Sequence, residues 1–298
     1  MEIWVCLSIG AAIFQTLRFI LQKFLSDTQL GVDGATFSRF IYSAPILMIV
    51  APLWFGYSGY PIVTDNFFIF SAIGGISQIL ATLCVIALFK QRNFAVGIAF
   101  KKTETLQIAV ISLVILGEKV SINALCAICI GFVGLVLLSK QPLKRSFLEE
   151  GVLSRSVFLG LLSGFLFAIS GVYYRASTLN VLDESSINRA IFTLTFVLVF
   201  QVISMGGWLL LFNRRELKVV WKVRSVAIWV GLTSLAGSFC WFWAFSLVNA
   251  ALVKAVGQIE LLFSILASIV LFKEKITGRE LVGIFTVMLS LIGVIALG

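Results

Sequence analysis

Histidine is absent from the 298 residues of the chain, and charged residues make up only 12% of them. Without histidine, neither a Ser-His-Asp nor a Cys-His catalytic apparatus can be built. The sequence also contains no Gly-x-x-x-x-Gly-Lys-Ser/Thr motif for holding nucleotide phosphates. We therefore predict that the protein is neither an enzyme nor a nucleotide-driven pump.

Cysteine is scarce as well, and its placement indicates no metal or redox site. Five cysteines are present, and the one closely spaced pair, Cys126 and Cys129, lies in the apolar stretch ALCAICIGF. A thiolate would be costly in such surroundings, so we interpret both residues as small buried hydrophobes. We predict no metal and no cofactor.

Apolar residues dominate the chain, at 60% of the sequence with a mean hydropathy of +1.06. Too little polar surface remains to cover a water-soluble globule, which predicts an integral membrane protein. Apolar stretches that could cross a core of roughly 30 Å as helices recur along the chain, and barrel-type alternation is absent. The predicted spans are 3–24, 34–56, 66–89, 94–116, 121–139, 156–178, 187–212, 225–247, 250–272 and 279–297.

An internal repeat organises these spans. Residues 84–119 recur without a gap 156 positions later, and 11 of the 36 aligned positions are identical, including Glu104 with Glu260. Shared apolar composition would not align rare charges, so we interpret the chain as a duplication with its site between the halves. Because each half holds an odd number of spans, the second half must enter the membrane from the opposite face.

The predicted fold class is an all-α polytopic membrane protein with ten transmembrane helices in two inverted five-helix repeats. We assign the first repeat to residues 1–139 and the second to residues 156–298. The longest polar break, residues 140–155, is the predicted loop between the repeats. The first residues, MEIWVCLSIG, lack a basic segment and are interpreted as the start of a span instead of a cleaved signal.

Lysine and arginine are unevenly shared among the predicted connections. The odd-numbered connections hold 14 of them, and the even-numbered ones hold only Lys119. By the positive-inside rule, the odd connections face the cytoplasm and both ends of the sequence lie outside. The net charge of +9 is then explained by topology and lipid contact, and we predict no nucleic-acid partner.

Two acids occupy equivalent positions inside predicted spans. If those spans begin after Asn93 and Asn249, each a suitable helix N-cap, then Glu104 and Glu260 lie about ten residues further on, near the bilayer midplane. A carboxylate there costs at least about 2.5 kcal/mol, so it should face a cavity, meet a partner or be protonated. We predict both as substrate-binding residues and proton sites.

Helical spacing predicts the neighbours of the first acid. Lys101, Glu104 and Gln107 share one helix face at i,i+3 spacing, so Lys101 can neutralise Glu104 and all three are predicted to bind substrate. Lys102 points away from Glu104, and either reaches another helix or extends its ammonium to the membrane surface.

The second acid has no such local cation. Lys254 or Arg18 could reach Glu260 in the fold, and all three are predicted substrate-binding residues. We interpret Glu260 as the unpaired acid and the better site for a proton or a cationic substrate group. The alternative is that Glu104 and Glu260 form ion pairs between helices that only hold the two halves together.

Three of the arginines within predicted spans are candidate functional residues. Arg18 forms an i, i+3, i+7 polar stripe with Gln15 and Gln22, and we assign Arg18 and Gln15 to the substrate cavity, where arginine could hold a carboxylate or phosphate. Arg39 and Arg189 match at an offset of 150. They are predicted either to form a gate or to anchor in lipid headgroups.

Further lining residues are predicted on the third and eighth spans. Gln78 would add a hydrogen-bonding group to a wall of small residues. Trp241 and Trp243, in the run CWFWAF, point to opposite sides of their helix, so one could cover a ligand while the other meets lipid. Both could equally be interfacial belt residues.

These patterns resemble the drug/metabolite transporter superfamily, EamA type. The fourth span of each half runs into a similar turn, LVILGEKVS and IVLFKEKIT, and the last spans share the Gly-rich patterns GFVGLVLLS and LSLIGVIALG. The resemblance implies a secondary carrier with a central cavity that works by alternating access. Where relatives often have proline before the turn, this chain has Thr105 and Leu261, each directly after an acid. Relatives are often drawn with cytosolic ends, whereas the charge count places both ends outside.

We predict a multi-pass carrier of the inner (plasma) membrane for a small polar metabolite, zwitterionic and amino-acid-like because the cavity carries both signs of charge. Its partners would be that solute and membrane lipids, and it would act as a monomer or homodimer. Proton coupling is a further expectation. The alternatives are a translocase for a lipid-linked headgroup, using basic sites such as Arg39 and Arg189, and a membrane scaffold or sensor without transport.

Overall fold

The structure is a computed structural model that describes residues 2–90, 101–138, 155–272 and 278–297. These residues form helices connected by short segments and one two-stranded sheet, in which β1 (Ile62–Val63) pairs antiparallel with β2 (Val181–Leu182). The helices are α1 Ile3–Thr28, α2 Val32–Ile41, α3 Ala44–Ser58, α4 Asn66–Phe89, α5 Glu104–Leu116, α6 Ile122–Leu138, α7 Arg155–Leu179, α8 Ser186–Phe212, α9 Arg214–Lys222, α10 Arg224–Leu247, α11 Ala250–Val256, α12 Glu260–Phe272 and α13 Gly278–Leu297.

Seven helical stretches in the described part of the chain are long and apolar enough to cross a membrane. They are Ile3–Thr28, Val32–Tyr57, Asn66–Phe89, Phe158–Leu179, Ser186–Phe212, Arg224–Leu247 and Ala250–Ala267. Shorter apolar helices, Glu104–Leu116, Ile122–Gly134 and Phe285–Val294, lie at the other three predicted spans. The helical membrane protein is thus confirmed, and the count of ten in two inverted repeats stays a prediction. The first residues of the predicted fourth span, 94–100, and most of the predicted loop, 140–154, lie outside the described residues.

A reporter experiment tests the predicted orientation of the chain. We expect alkaline phosphatase fused after Gly298 to be active, because the charge count places this end outside the cytoplasm. The same reporter inserted within residues 140–155, the predicted cytoplasmic loop, should be inactive and serves as the control. A cytosolic green fluorescent protein signal from a fusion after Gly298 would contradict the predicted orientation.

Helices of the two predicted repeats pack against each other in equivalent pairs. The first long helix of one repeat lies along the third of the other, so that α1 packs on α10 and α4 packs on α7, while α6 and α13 pack together. Small residues allow these close approaches, since Gly74 faces the ring of Tyr174 and Gly134 faces the backbone of Val287. The interface between the predicted repeats therefore forms the protein interior.

The second predicted span is interrupted instead of continuous. It consists of α2 and α3, separated at Tyr42 and Ser43. Pro45, in the first turn of α3, cannot donate a backbone hydrogen bond to Ile41, so the helix cannot continue unbroken through Tyr42 and Ser43. The hydroxyl of Ser43 donates to the carbonyl oxygen of Gly231 at 2.8 Å, which ties the break to α10.

The prediction that the paired cysteines are buried was wrong. Cys126 and Cys129 are both exposed on α6. Their apolar surroundings are therefore the outer face of the helix. In a membrane-spanning helix the hydrocarbon is as apolar as a protein core, so sequence composition does not distinguish the two environments.

Candidate functional site

The two equivalent acids each stand at the first position of a helix. α5 begins at Glu104 after a turn at Lys102 and Thr103, and α12 begins at Glu260 after a 3₁₀ turn, Gly257–Ile259. The predicted spans 94–116 and 250–272 run unbroken through both positions, and the structure corrects this. A helix N-terminus favours a nearby negative charge, so each break places its carboxylate at a favourable point. The predicted N-cap Asn249 accepts a hydrogen bond from the backbone of Ala251 at 2.7 Å, whereas Asn93 lies outside the described residues.

Glu260 is the most densely contacted of the buried acids. Its carboxylate accepts from Lys101 at 3.0 Å, from Lys102 at 2.6 Å and from the Gln15 side chain at 2.8 Å. Lys102 also donates to the carbonyl oxygen of Gly257 at 2.7 Å. The interpretation of Glu260 as an unpaired acid was therefore wrong. Lys102, whose target was left open, lies in the centre of the cluster.

Glu104 is held by charge alone. Its carboxylate lies 3.4 Å from the Lys101 ammonium and 3.7 Å from that of Lys254. Neither carboxylate oxygen has a hydrogen-bond partner within the described ranges. Lys101 therefore bridges both acids, and Glu104 is the less constrained of the two.

Aromatic rings complete the surroundings of the buried lysines. The Lys254 ammonium lies 4.2 Å from the centre of the Trp241 ring, and that of Lys101 lies 5.0 Å from the centre of the Phe167 ring. Ring faces attract cations, which partly replaces lost hydration. The indole nitrogen of Trp241 donates to the side-chain amide oxygen of Gln15 at 3.0 Å, so Gln15 connects this tryptophan to Glu260.

A small cavity of about 10 Å³ lies beside this cluster and is lined by both halves of the chain. A volume of that size has room for about one water molecule. Its polar lining consists of Gln15, Gln78, Ser170, Tyr174, Ser238 and Lys254, and its other lining residues are Phe167, Gly171, Trp241, Phe242 and Phe245. The cavity is therefore a pocket with aromatic walls and a cation at its edge.

The structure places the predicted site residues in three groups. The residues that line the cavity are Gln15, Gln78, Trp241 and Lys254. Those buried in or beside the ion cluster are Arg18, Lys101, Glu104 and Glu260. Two lie elsewhere, since Gln107 donates to the hydroxyl of Thr103 at 3.3 Å and Trp243 donates to the hydroxyl of Ser186 at 3.0 Å.

Sequence reasoning missed a polar wall on α7. The Tyr174 hydroxyl donates to the Gln78 side chain at 3.0 Å and accepts from Gln201 at 3.2 Å. Ser170 lines the cavity one helical turn earlier. Ser170 and Tyr174 are four residues apart within an apolar span, and this spacing indicated a polar face on that helix.

The three arginines proposed as functional residues have different surroundings. Arg18 is buried with its guanidinium 4.1 Å from the centre of the Phe19 ring, and its two terminal nitrogens have no hydrogen-bond partner in the described segments. Arg39 is buried too, and it donates to Ser234 at 2.8 Å and to Ser238 at 3.3 Å. The headgroup-anchoring interpretation is therefore wrong for Arg39. Arg189 is half-buried and donates to a backbone carbonyl, that of residue 246, at 3.1 Å.

The buried charges do not balance. Within the described ranges, five buried cations face two buried acids, which leaves an excess of three positive charges. The cations are Arg18, Arg39, Lys101, Lys102 and Lys254, and the acids are Glu104 and Glu260. The protein interior around the cavity is therefore electropositive.

Comparisons with known proteins are consistent with this architecture. The sequence model of the EamA-like transporter family matches residues 2–140 and 154–296. One solved structure, titled "Crystal structure of protein", is similar over 97% of this chain and 94% of that chain, with a TM-score of 0.69 at 12% sequence identity. That likeness shows a shared fold. No curated protein matches the sequence.

Proposed function

The chain belongs to the EamA-like transporter family, and from that premise we propose that it is a secondary carrier that moves a small polar metabolite across the inner (plasma) membrane by alternating access. Family membership makes the protein a multi-pass membrane transporter of the drug/metabolite type. The solute, the coupling ion and the membrane are our proposals, as is the expectation that the chain acts without enzymatic chemistry as a monomer or homodimer among membrane lipids.

One observation carries the proposal: the cavity between the two halves adjoins a buried cluster of charges. Ionisable side chains are costly inside a membrane and mark solute or ion pathways when they occur there. Carrier sites built from repeats lie at the repeat interface, commonly where helices are interrupted. The helix break before Glu104 lies beside the cavity residue Lys254, whose ammonium is 3.7 Å from Glu104. The break before Glu260 is connected to the same place through Lys101, which contacts both acids.

Within this site we propose different roles for the predicted residues. Gln15, Gln78, Trp241 and Lys254 would contact the solute, because they line the cavity. Lys101 and Glu260 would hold the two broken helices together. Trp243 and Gln107 contact other residues and have no role in the proposed solute site.

Solute binding and uptake test the proposed function. Purified protein would be screened for thermal stabilisation by zwitterions, organic anions and amines, and each stabilising solute would then be tested for uptake into liposomes. We expect at least one to show saturable uptake that empty liposomes lack. If every stabilising solute fails to enter, the carrier proposal is wrong and a scaffold or sensor explains the binding.

We place the proposed proton site at Glu104. Its carboxylate oxygens accept no hydrogen bond within the described chain, whereas Glu260 accepts three. A group that must gain and lose a proton during transport needs such freedom. We therefore expect Glu104→Gln to abolish stimulation of uptake by a pH gradient while exchange between equal pools of solute persists.

The matched control for this substitution is Asp27→Asn. Asp27 is exposed on α1 and pairs with Lys23 at 2.9 Å, so it loses the same charge far from the cavity. Uptake by the control should keep its response to the gradient. An unchanged response in Glu104→Gln would show that Glu104 does not carry the coupled proton.

The structure does not favour the lipid-translocase alternative. That function needs basic residues accessible to headgroups, and Arg39, one of the two named for it, is 3% exposed and bonded to serine hydroxyls of α10. The scaffold alternative predicts that neutralising both Glu104 and Glu260 lowers assembly without affecting function. Uptake by correctly assembled variants distinguishes it from the carrier.

A further inference from the structure

An apolar groove lies on the lateral surface of the protein, between α2, α8 and α9. Its volume is about 510 Å³, within the range of roughly 300–1,000 Å³ that is common for ligand sites. Ile203 and Trp221 in its lining are each 67% exposed, so the groove is open to the membrane. Tyr42 has the one polar side chain among the described lining residues, and its hydroxyl already donates to the carbonyl oxygen of Val220 at 3.0 Å. The groove therefore suits a hydrocarbon chain.

Two adjacent glycines on α8 give the groove its depth. A Cβ atom on Gly206 would lie 3.4 Å from the Phe37 ring, so the wall is already at contact distance there. A Cβ atom on Gly207 would have nothing within 4 Å. A larger side chain at Gly207 would therefore occupy the groove without a clash.

The short helix α9 borders the groove with its apolar side. Leu217, Val220 and Trp221 line the groove. Glu216 is the one acid in residues 213–224, and it accepts from the backbone N–H of Gly31 at 2.9 Å. Helices with lysine and arginine on one side and tryptophan and leucine on the other lie at the membrane surface. The acid is thus turned inwards, and the exposed side of α9 is positively charged.

Two arginines are held at the edge of the groove. The Nε of Arg214 donates to the carbonyl oxygen of Leu210 at 2.6 Å, and Leu210 lines the groove. The Arg224 guanidinium lies 5.6 Å from the centre of the Trp221 ring and donates to the carbonyl oxygen of Trp221 at 3.4 Å. Both arginines are exposed, and within the described residues neither forms an ion pair. Their remaining N–H groups are suited to a phosphate.

A groove for hydrocarbon with cations at its edge is complementary to a molecule that joins an acyl chain to an anion. In the predicted orientation, α9 lies on the cytoplasmic side, where the leaflet carries anionic lipids. We propose that the groove binds an anionic glycerophospholipid, with one acyl chain along α8 and the phosphate at Arg214 and Arg224. This site is separate from the proposed carrier cavity and does not depend on the solute.

Three probes with matched parts test this inference on the purified wild-type protein in a neutral detergent. Dioleoyl phosphatidylglycerol has the chains and a net negative charge, dioleoyl phosphatidylcholine has the same chains without net charge, and glycerol 3-phosphate has no chain. Native mass spectrometry would measure retained lipid, and thermal unfolding would measure stabilisation. We expect phosphatidylglycerol to bind at least about tenfold more tightly than phosphatidylcholine, with a smaller preference at high salt. Equal stabilisation by glycerol 3-phosphate would overturn the inference.

Variants of the two arginines test the headgroup contact. Arg214→Gln combined with Arg224→Gln should abolish the preference for phosphatidylglycerol, because the phosphate loses its partners at the groove. The matched control is Arg215→Gln combined with Lys222→Gln, which removes the same charge from the side of α9 that helical spacing places opposite Leu217. The control should keep the preference. An equal loss in both double variants would show a general attraction to anionic lipid and would overturn the site, as would an unchanged preference in the first.

Filling the groove tests the chain contact. Gly207→Phe should weaken phosphatidylglycerol binding by about tenfold or more, because the ring takes the place of the acyl chain. Gly56→Phe is the control, since Gly56 is exposed on α3 and its added Cβ also has nothing within 4 Å. Unchanged lipid binding in Gly207→Phe would overturn the inference. So would conversion of a dimer to a monomer without loss of lipid, because a second copy of the chain would then cover the groove. If Gly207→Phe does not fold, the arginine variants, which change only exposed side chains, decide the result.

Discussion

Replacing Glu260 with glutamine should destabilise the protein by roughly 3–5 kcal/mol, the cost of removing one partner from a buried ion pair. The carboxylate is fully buried and lies 3.0 Å from Lys101 and 2.6 Å from Lys102. Glutamine keeps the shape and an oxygen for Gln15. The substitution leaves the buried ammonium groups of Lys101 and Lys102 with one nearby acid, Glu104, which is 3.4 Å from Lys101.

The double variant Glu260→Gln with Lys102→Met should recover much of that loss. It removes one charge of each sign, and methionine occupies a volume similar to the lysine stem. Coupling between residues in direct contact commonly reaches about 0.5–3 kcal/mol, and we expect a value in the upper part of that range. Recovery would show that charge balance, and not shape, causes the instability of the single variant.

Unfolding by denaturing detergent in mixed micelles would measure these differences. The control cycle uses Lys23→Met and Asp27→Asn, an exposed pair whose coupling should be at most about 1 kcal/mol. Equal instability of the single and double variants at position 260 would contradict the expectation. In that case the contacts of Lys102 with Gly257 would matter more than its charge.

Substituting Gly231 with alanine should cost about 1–3 kcal/mol through overpacking, and valine should cost more. A Cβ atom there would lie 2.9 Å from the carbonyl carbon and 3.1 Å from the Cα of Tyr42, and would also contact its Cβ. The neighbour is backbone, so it cannot rotate away. Tyr42 is held further by its hydroxyl, which donates to the carbonyl oxygen of Val220 at 3.0 Å.

The same substitution should reduce transport, because α10 carries Ser238 and Trp241 in the cavity wall. Gly207→Ala is the matched control, since nothing lies within 4 Å of its added Cβ. Alanine in that helix should be neutral or stabilising by up to about 1 kcal/mol. Thermal unfolding and uptake should be measured on all three proteins. If Gly231→Ala is as stable as the control, the close approach of α10 to the helix break is not required.

Local sequence properties were sufficient to predict the class of fold and the duplication. Apolar stretches form helices in a membrane because each backbone group must find its hydrogen bond within the segment. Equivalent acids within such stretches, Glu104 and Glu260, indicated a central charged site, and Asn249 was recognisable as an N-cap from its type and position. The helix break at Pro45 was also visible in principle, because proline removes a backbone donor.

The partners within the site were decided only by the tertiary structure. Lys101 and Glu260 are 159 residues apart, and their pairing depends on the rotation of two broken helices about their axes. Periodicity showed which side chains share a helix face but not which faces meet, so it left open whether Lys102 reaches another helix or the membrane surface. The sequence does not distinguish the roles of Trp241 and Trp243. In the folded protein the first contacts Lys254 and the second contacts Ser186. Composition and spacing are properties of single helices, whereas a binding site is a property of how the helices are placed against one another.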